Sequence, residues 1–160
     1  MCIVIDVNRI PSVLNPGASD HDEFRPILDW IQRCNAKIVY GGTTYKAELS
    51  KLPNYLPILS EMKRAGQVHE VDDENVDQVE GEIGKKIHDR SFNDQAIVAI
   101  VIVSHCRLVC SNDTSSFPFL KLTALYPKGV KRPSIYTGRK SGVPLLNRVL
   151  GKCGPCALAH

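Results

Sequence analysis

Apolar residues fall in blocks along the chain, and the spacing inside each block predicts an element. "CIVIDV", residues 2–7, is a near-continuous apolar run interrupted by Asp6, which suits a short strand buried on both faces of a parallel sheet. "DHDEFRPILDWIQRC", residues 20–34, repeats Phe24, Ile27, Leu28 and Ile31 at the spacing of one helix face, with acids in the first turn. "KIVYG", residues 37–41, reads as a second strand closed by Gly41 and Gly42, and Thr43 and Thr44 are expected to cap the helix "YKAELSKL". "PNYLPILSEMKRAG", residues 53–66, predicts a helix with an irregular first turn or a second start at Pro57 and a stop at Gly66. "QVHEV" is a third strand. "DDENVDQVEGEIGKKIHDR", residues 72–90, carries Val76, Val79, Ile83 and Ile87 on one stripe, acids near its start and Lys85 and Lys86 near its end. Asp72, Asp73, Glu74 and Asp77 there read as a solvated surface that complements the helix dipole.

The most hydrophobic block, "SFNDQAIVAIVIVSHCRLVCSND", residues 91–113, is fenced by Asp94 and Asp113. Its β-branched residues allow two strands joined by a turn, because periodicity cannot decide a short run that is apolar throughout. Against that, Ser91 or Asn93 can cap a helix, Gln95, Ala96 and Ala99 are poor strand formers, and the preceding blocks alternate strand and helix. A buried helix from Asp94 to about His105, followed by a strand "RLVCS", fits better. Beyond Phe117 the pattern loosens to a last strand near "PSIYT" and a short helix near "PLLNRVL".

This alternation predicts an α/β fold: a short central parallel sheet covered on both faces by helices through right-handed crossovers, a three-layer α/β/α sandwich. One domain over residues 1–150 and a tail over 151–160 are expected. In such sheets ligands bind beyond the carboxyl ends of the strands. Asp6 ends the first strand, Asp113 lies just past "RLVCS", Glu48 is about one turn into the helix after strand two, and Asp94 opens the helix that leads to Asp113. The four carboxylates are therefore expected on one rim. Like charges that close raise one another's pKa unless a counter-charge is present. A hard divalent cation, Mg²⁺ or Mn²⁺, prefers oxygen ligands and keeps part of its water shell. Phosphodiester hydrolysis is the chemistry that follows. Asn8, Thr44, Asn112 and Thr114 lie beside these acids and are candidates to orient carboxylates or water. Asp89, read as the end of the preceding helix, is more simply surface.

Charge adds a partner to this picture. From Thr114 to the end there are eight basic residues and no acid, a local charge of +8, against −5 for residues 1–113. Such segregation is expected of a protein that meets phosphate-rich RNA or DNA, with a solvated basic tail as the alternative. Arg9, Lys46, Lys131, Arg132, Arg139 and Lys140 are the candidate phosphate contacts. The 43% hydrophobic and 23% charged content is that of a globular protein and excludes disordered or collagen-like architectures. "AIVAIVIV" is too short to span a membrane and "MCIVIDVN" too short for a signal peptide, so a cytoplasmic protein is expected. Its six cysteines should then be reduced. Cys2, Cys106 and Cys110 sit in apolar segments as small hydrophobes. "CGPC", residues 153–156, has no room for the helix that a redox C-x-x-C needs, nor a second ligand pair for zinc.

The motifs "IVIDVN", "YKAEL" and "NDQAIVAIVIVSHCRLVCSND" together resemble the PIN-domain ribonucleases over roughly residues 2–120. That family has a first-strand Asp, a helical Glu, and an Asp, hydrophobic helix, strand and closing Asp in this order. The resemblance implies metal-dependent endonucleolytic cleavage of RNA with Asp6, Glu48, Asp94 and Asp113 as the functional acids. Asp6, Asp94 and Asp113 would bind the metal, and Glu48 would bind it or position the attacking water. Many members are toxins held by a protein antitoxin, others mature ribosomal RNA, and the same resemblance allows a homodimer. "CSND" departs from the family in placing Ser111 where a Thr is usual, and Ser111 can replace that hydroxyl. The alternative is a non-catalytic PIN-fold module that binds RNA or protein. A phosphoacceptor domain is weaker, because such sites want paired acids after strand one and "DVN" offers a single one.

Overall fold

The computed structural model describes residues 1–153, with side chains described through residue 148. The described chain runs β1 (Cys2–Ile5), α1 (Ile10–Leu14), α2 (His21–Cys34), β2 (Lys37–Tyr40), α3 (Thr43–Leu49), α4 (Leu56–Arg64), β3 (Val68–Glu70), α5 (Asp73–Lys86), α6 (Gln95–Ser104), β4 (Leu108–Cys110), α7 (Phe117–Leu120), β5 (Ser134–Tyr136) and α8 (Arg139–Cys153). The five strands form one parallel sheet in the order β3-β2-β1-β4-β5. On one face α5 and α6 pack together, with α6 against β1 and β2; on the other, α2 packs between α1 and α8. The fold is thus the expected α/β/α sandwich. No helix among the described residues is long and apolar enough to cross a membrane.

The ambiguous hydrophobic block resolves as helix followed by strand. Ala96, Ile97, Val98, Ala99, Ile100 and Val101 are all buried, so α6 is apolar on nearly every side and is enclosed by α5 and the sheet. A helix buried all round needs no polar face, which is why periodicity could not reveal it. His105 ends it in the left-handed conformation, φ 55°, and the chain turns into β4.

Pro57 does mark a second start, since Pro53–Tyr55 forms a separate 3-10 turn before α4. Two short helices were not anticipated, α1 and α7, each carrying a proline in its first turn. The domain boundary expected at residue 150 falls inside α8, which continues to Cys153. Residues 154–160, with Cys156, lie outside the described residues, as does the side chain of Cys153.

Candidate functional site

The register of β1 on β4 sets the centre of the site. Ile5 pairs with Cys110, so the next residues, Asp6 and Ser111, emerge side by side beyond the last rung. The backbone N–H of Asp6 donates to the Cys110 carbonyl at 2.9 Å, and that of Ser111 donates to the Tyr136 carbonyl of β5 at 3.2 Å. From β1 the chain order proceeds to β2 on one side and to β4 on the other. The gap between β1 and β4 is therefore the point at which the sheet changes direction, where α/β proteins open a crevice.

Asp6 is only 5% exposed, and both of its oxygens are bonded. The Asn8 backbone N–H donates to Oδ1 at 3.0 Å and the Ser111 hydroxyl donates to Oδ2 at 2.9 Å. Ser111 Oγ in turn accepts from the Asp113 backbone N–H at 3.1 Å. Asp113 is gripped by its own loop: Ser115 donates to Oδ1 through its backbone N–H at 3.0 Å and through its hydroxyl, and Ser116 Oγ donates to Oδ2 at 3.3 Å. These bonds, led by that of the Ser115 hydroxyl, hold the Asp113 carboxyl below its usual range.

Asp94 occupies the N-cap position of α6 and makes no capping bond through its side chain. Its Oδ2 is buried without a hydrogen-bond partner. Burial first, and then the charges of Asp6, Asp113 and Glu48, push its pKa up to about 6. The charges of Asp6, Asp113 and Glu48 thus all reach Asp94. A cap residue that does not cap, with one buried oxygen left bare, is poorly explained as helix punctuation.

Glu48 is delivered by α3, and α3 is anchored in an unexpected way. Thr43 and Thr44 do not cap it; its N-cap residue is Gly42, at φ 84°. The free N–H groups of its first turn are met from α5: Gly42 donates to Asp73 Oδ1 at 2.8 Å and Thr43 to Asp77 Oδ1 at 2.7 Å. Two acids read as dipole-complementing surface therefore clamp the helix that carries Glu48. The turn must also come close to its neighbour: a Cβ on Gly41 would stand 2.6 Å from the Val71 carbonyl oxygen, and one on Gly42 2.5 Å from Val76 Cγ1. At the other side of α3, the buried Tyr45 hydroxyl donates to the Ile5 carbonyl, one residue before Asp6. Glu48 itself is exposed and lines a cleft of about 240 Å³ with Val7, Asn8, Lys51 and Leu52.

The remaining expected residues divide. Asn8 serves through its backbone N–H, and its side chain is exposed. Asn112 is a brace between strand ends: its amide donates to the carbonyls of Ser111 at 3.2 Å and Thr137 at 2.9 Å. Thr44 is exposed, as is Thr114, whose neighbours Ser115 and Ser116 do the work expected of it. Asp89 lies beyond the end of α5, where it accepts from Ser91 and stays outside the cluster.

Of the basic candidates, Arg9 pairs with Asp20 at 2.9 Å and lies over the Phe24 ring. Lys46 is clasped by Glu70 and Asp73. Neither is available to a phosphate. Lys131 and Arg132 precede the amino end of β5, the edge opposite the acids, and Arg132 donates to the Lys121 carbonyl. Arg139 and Lys140 open α8 beyond the carboxyl end of β5, on the acid side, but Arg139 lines a groove with Trp30 and Arg33 of α2.

Sequence reasoning missed Ser116, Glu80 and Lys51. Glu80 has its pKa raised by burial and by the charges of Asp77 and Glu48. A cleft of about 640 Å³ along edge strand β3 is lined by none of the four acids.

The donor set at the rim is all oxygen, which matches a hard cation. Among the described residues, however, no group of three or more His, Cys, Asp or Glu side chains is close enough to hold a metal ion, so the expectation of three direct carboxylate ligands is not met. The rim acids are tied to hydroxyls instead: Ser111 donates to Asp6 and accepts from the Asp113 N–H, and Ser116 donates to Asp113. The arrangement suits a hydrated cation, touched by one or two carboxylates and otherwise through water. Comparison of the chain with protein-family models, with curated proteins and with solved structures finds no match.

Proposed function

We propose that the protein is a Mg²⁺- or Mn²⁺-dependent endoribonuclease of the PIN type, cleaving RNA phosphodiester bonds at the rim formed by Asp6, Glu48, Asp94 and Asp113. The observation that carries this reading is Asp94: the charges of three acids from three other segments act on a carboxyl that leaves one buried oxygen unpartnered. Asp6, Asp94 and Asp113 would hold the cation, directly or through its waters. When bound, it supplies a water of lowered pKa and positive charge for the phosphate in the transition state. The chain's own contributions are distinct. Ser111 and the Asn8 N–H fix the Asp6 carboxylate oxygens in place, and Ser115 and Ser116 hold those of Asp113. Glu48, exposed in the cleft, orients the attacking water. Lys51, in the same cleft, and Lys140, opening α8, are placed to meet the phosphates on either side. An antitoxin or other inhibitor protein, and a second copy of the chain, belong to this proposal as partners.

The alternative, a non-catalytic RNA-binding module, draws on the acid-free basic segment after Asp113. One assay separates the two. Labelled single-stranded and hairpin RNAs are incubated with the protein plus Mn²⁺, with chelator, and with the Asp94→Asn variant. Cleavage that needs the metal and Asp94 is expected. Intact RNA in every lane, or equal cleavage with chelator, removes the ribonuclease reading. Salt-sensitive binding without cleavage supports the module.

A further inference from the structure

Two segments that carry rim acids are joined through a pair of rings. Phe92 stands two residues before Asp94 and Phe119 three residues after Ser116, and the rings stack with centroids 4.3 Å apart and planes inclined by 17°. Phe92 is 3% exposed and Phe119, in α7, is half-buried. From Phe119 the connection to Asp113 is continuous. The Phe119 N–H donates to the Ser116 carbonyl at 3.1 Å, the Ser116 N–H donates to the Asp113 carbonyl at 3.1 Å, and the Ser116 hydroxyl donates to Asp113 Oδ2. The approach to Asp94 has no such network. Among the described residues, the hydrogen bonds of residues 88–93 stay within residues 89–95: Ser91 donates to Asp89, the Phe92 N–H to the Asp89 carbonyl at 3.1 Å, and the Gln95 amide to the Phe92 carbonyl at 3.5 Å. The Phe92 ring is thus the contact that ties this stretch to the Asp113 loop.

We propose that Phe92 and Phe119 are a positioning pair: their stack fixes the separation of Asp94 from Asp113 and thereby sets the affinity of the rim for a divalent cation. The inference rests on the ribonuclease reading, because it needs the rim to take the cation that reading assigns to it. Neither ring touches the reacting atoms; each acts through the backbone that carries it. Core packing holds the axis of α6, whose residues 96–101 are all buried. What remains to be set is the non-helical residue at its entry, Asp94, with φ −99°, ψ 34° and no capping bond from its side chain. A pair of near-parallel rings suits that task, since aromatic contacts have preferred geometries whereas aliphatic side chains pack in many relative orientations. The effect has a ceiling. A stack cannot change cation affinity by more than its own free energy, which limits the loss to roughly two- to tenfold.

Mn²⁺ binding in the absence of RNA tests this, read as loss of the free-ion signal in electron paramagnetic resonance. Wild type is compared with Asp94→Asn, Phe119→Leu, Phe119→Tyr and Met62→Ala, the last a core substitution in α4, which carries none of the four acids. Circular dichroism checks that each protein is folded. Phe119→Tyr keeps the ring and can leave its hydroxyl in water at this half-buried position, so it should bind Mn²⁺ as wild type does. Phe119→Leu should bind roughly two- to tenfold more weakly. Met62→Ala, although less stable, should bind as wild type does. Phe119→Met, which also fills the space without a flat ring, takes the place of Phe119→Leu if that variant does not fold. Equal affinity in wild type and Phe119→Leu, with Asp94→Asn weakened, overturns the positioning role and leaves the metal reading standing. Weakening in Met62→Ala as large as in Phe119→Leu also overturns it, as a general loosening of the fold. Wild type that binds no Mn²⁺, or no more tightly than Asp94→Asn, overturns both.

Discussion

The Ser111 hydroxyl donates to Asp6 Oδ2 at 2.9 Å, joining residues 105 positions apart where β1 and β4 leave the sheet. Both groups are buried, so removing the donor leaves a carboxylate oxygen without a partner. Ser111→Ala should cost about 1–3 kcal/mol of stability. Urea denaturation followed by circular dichroism should show a lower midpoint with an unchanged slope. Ser111→Thr should restore the bond, and with it the midpoint, if the added methyl is accommodated.

Asp94 should trade stability against activity. Its folded pKa of about 6 lies above the unfolded value near 4, so the fold binds this proton more tightly than the unfolded chain does. The associated stability is full below about pH 4 and is lost as pH rises through about 6. Asp94→Asn should therefore be more stable than wild type at pH 7, on the order of 1 kcal/mol after allowance for solvent screening, and should flatten the decline between pH 4 and 7. The same variant should lose metal-dependent cleavage.

A cation bound at the rim should stabilise the wild-type fold by mass action. At a hundred times its dissociation constant Mn²⁺ would add about 2.7 kcal/mol, a rise in melting temperature of roughly 5–10 °C. Differential scanning fluorimetry should register this shift in wild type and little of it in Asp94→Asn. Equal shifts in the two proteins would place the cation elsewhere.

The clamp on α3 predicts an effect at a distance. Asp77→Ala removes the acceptor of the Thr43 N–H and should cost about 1 kcal/mol, as a lost helix cap does. Because Glu48 rides on the same short helix, cleavage should fall by roughly ten- to a hundredfold although Asp77 itself stays far from the chemistry. Asp77→Asn, which keeps an acceptor, should recover most of the stability.

Basic residues should separate by their pairing. Lys51→Gln should weaken RNA binding and lower the salt slope by about 1, measured by fluorescence anisotropy over a salt series with the Asp94→Asn protein as background. Lys46→Gln should lower the melting temperature, because Glu70 and Asp73 lose their shared partner, and should leave the salt slope unchanged.

Much of the framework could be read from hydrophobic spacing, because strand and helix blocks alternate cleanly and a parallel sheet puts every strand end on one rim. That logic reached Asp6, Asp94 and Asp113, whose positions follow from where elements begin and end. It reached Glu48 only as a helix position. It could not foresee pairing between distant segments. Lys46 and Arg9 look like free cations in sequence, yet Glu70 arrives from a strand two places away from β1 and Asp20 from the turn before α2. Thr43 and Thr44 have the chemistry of caps, but charged acceptors from α5 take the same N–H groups. Ser116 was invisible because its bond to Asp113 depends on the turn that follows β4.

The capping of α3 from α5 has a consequence for anyone who would transplant this rim. Residues 43–49 carry Glu48 but not the means to hold their own first turn in place. Grafted alone onto another α/β scaffold, the segment would fray where the carboxylate must be steady. The smallest portable unit is the double-glycine turn and α3 together with Asp73 and Asp77, two stretches of chain that must travel as one part.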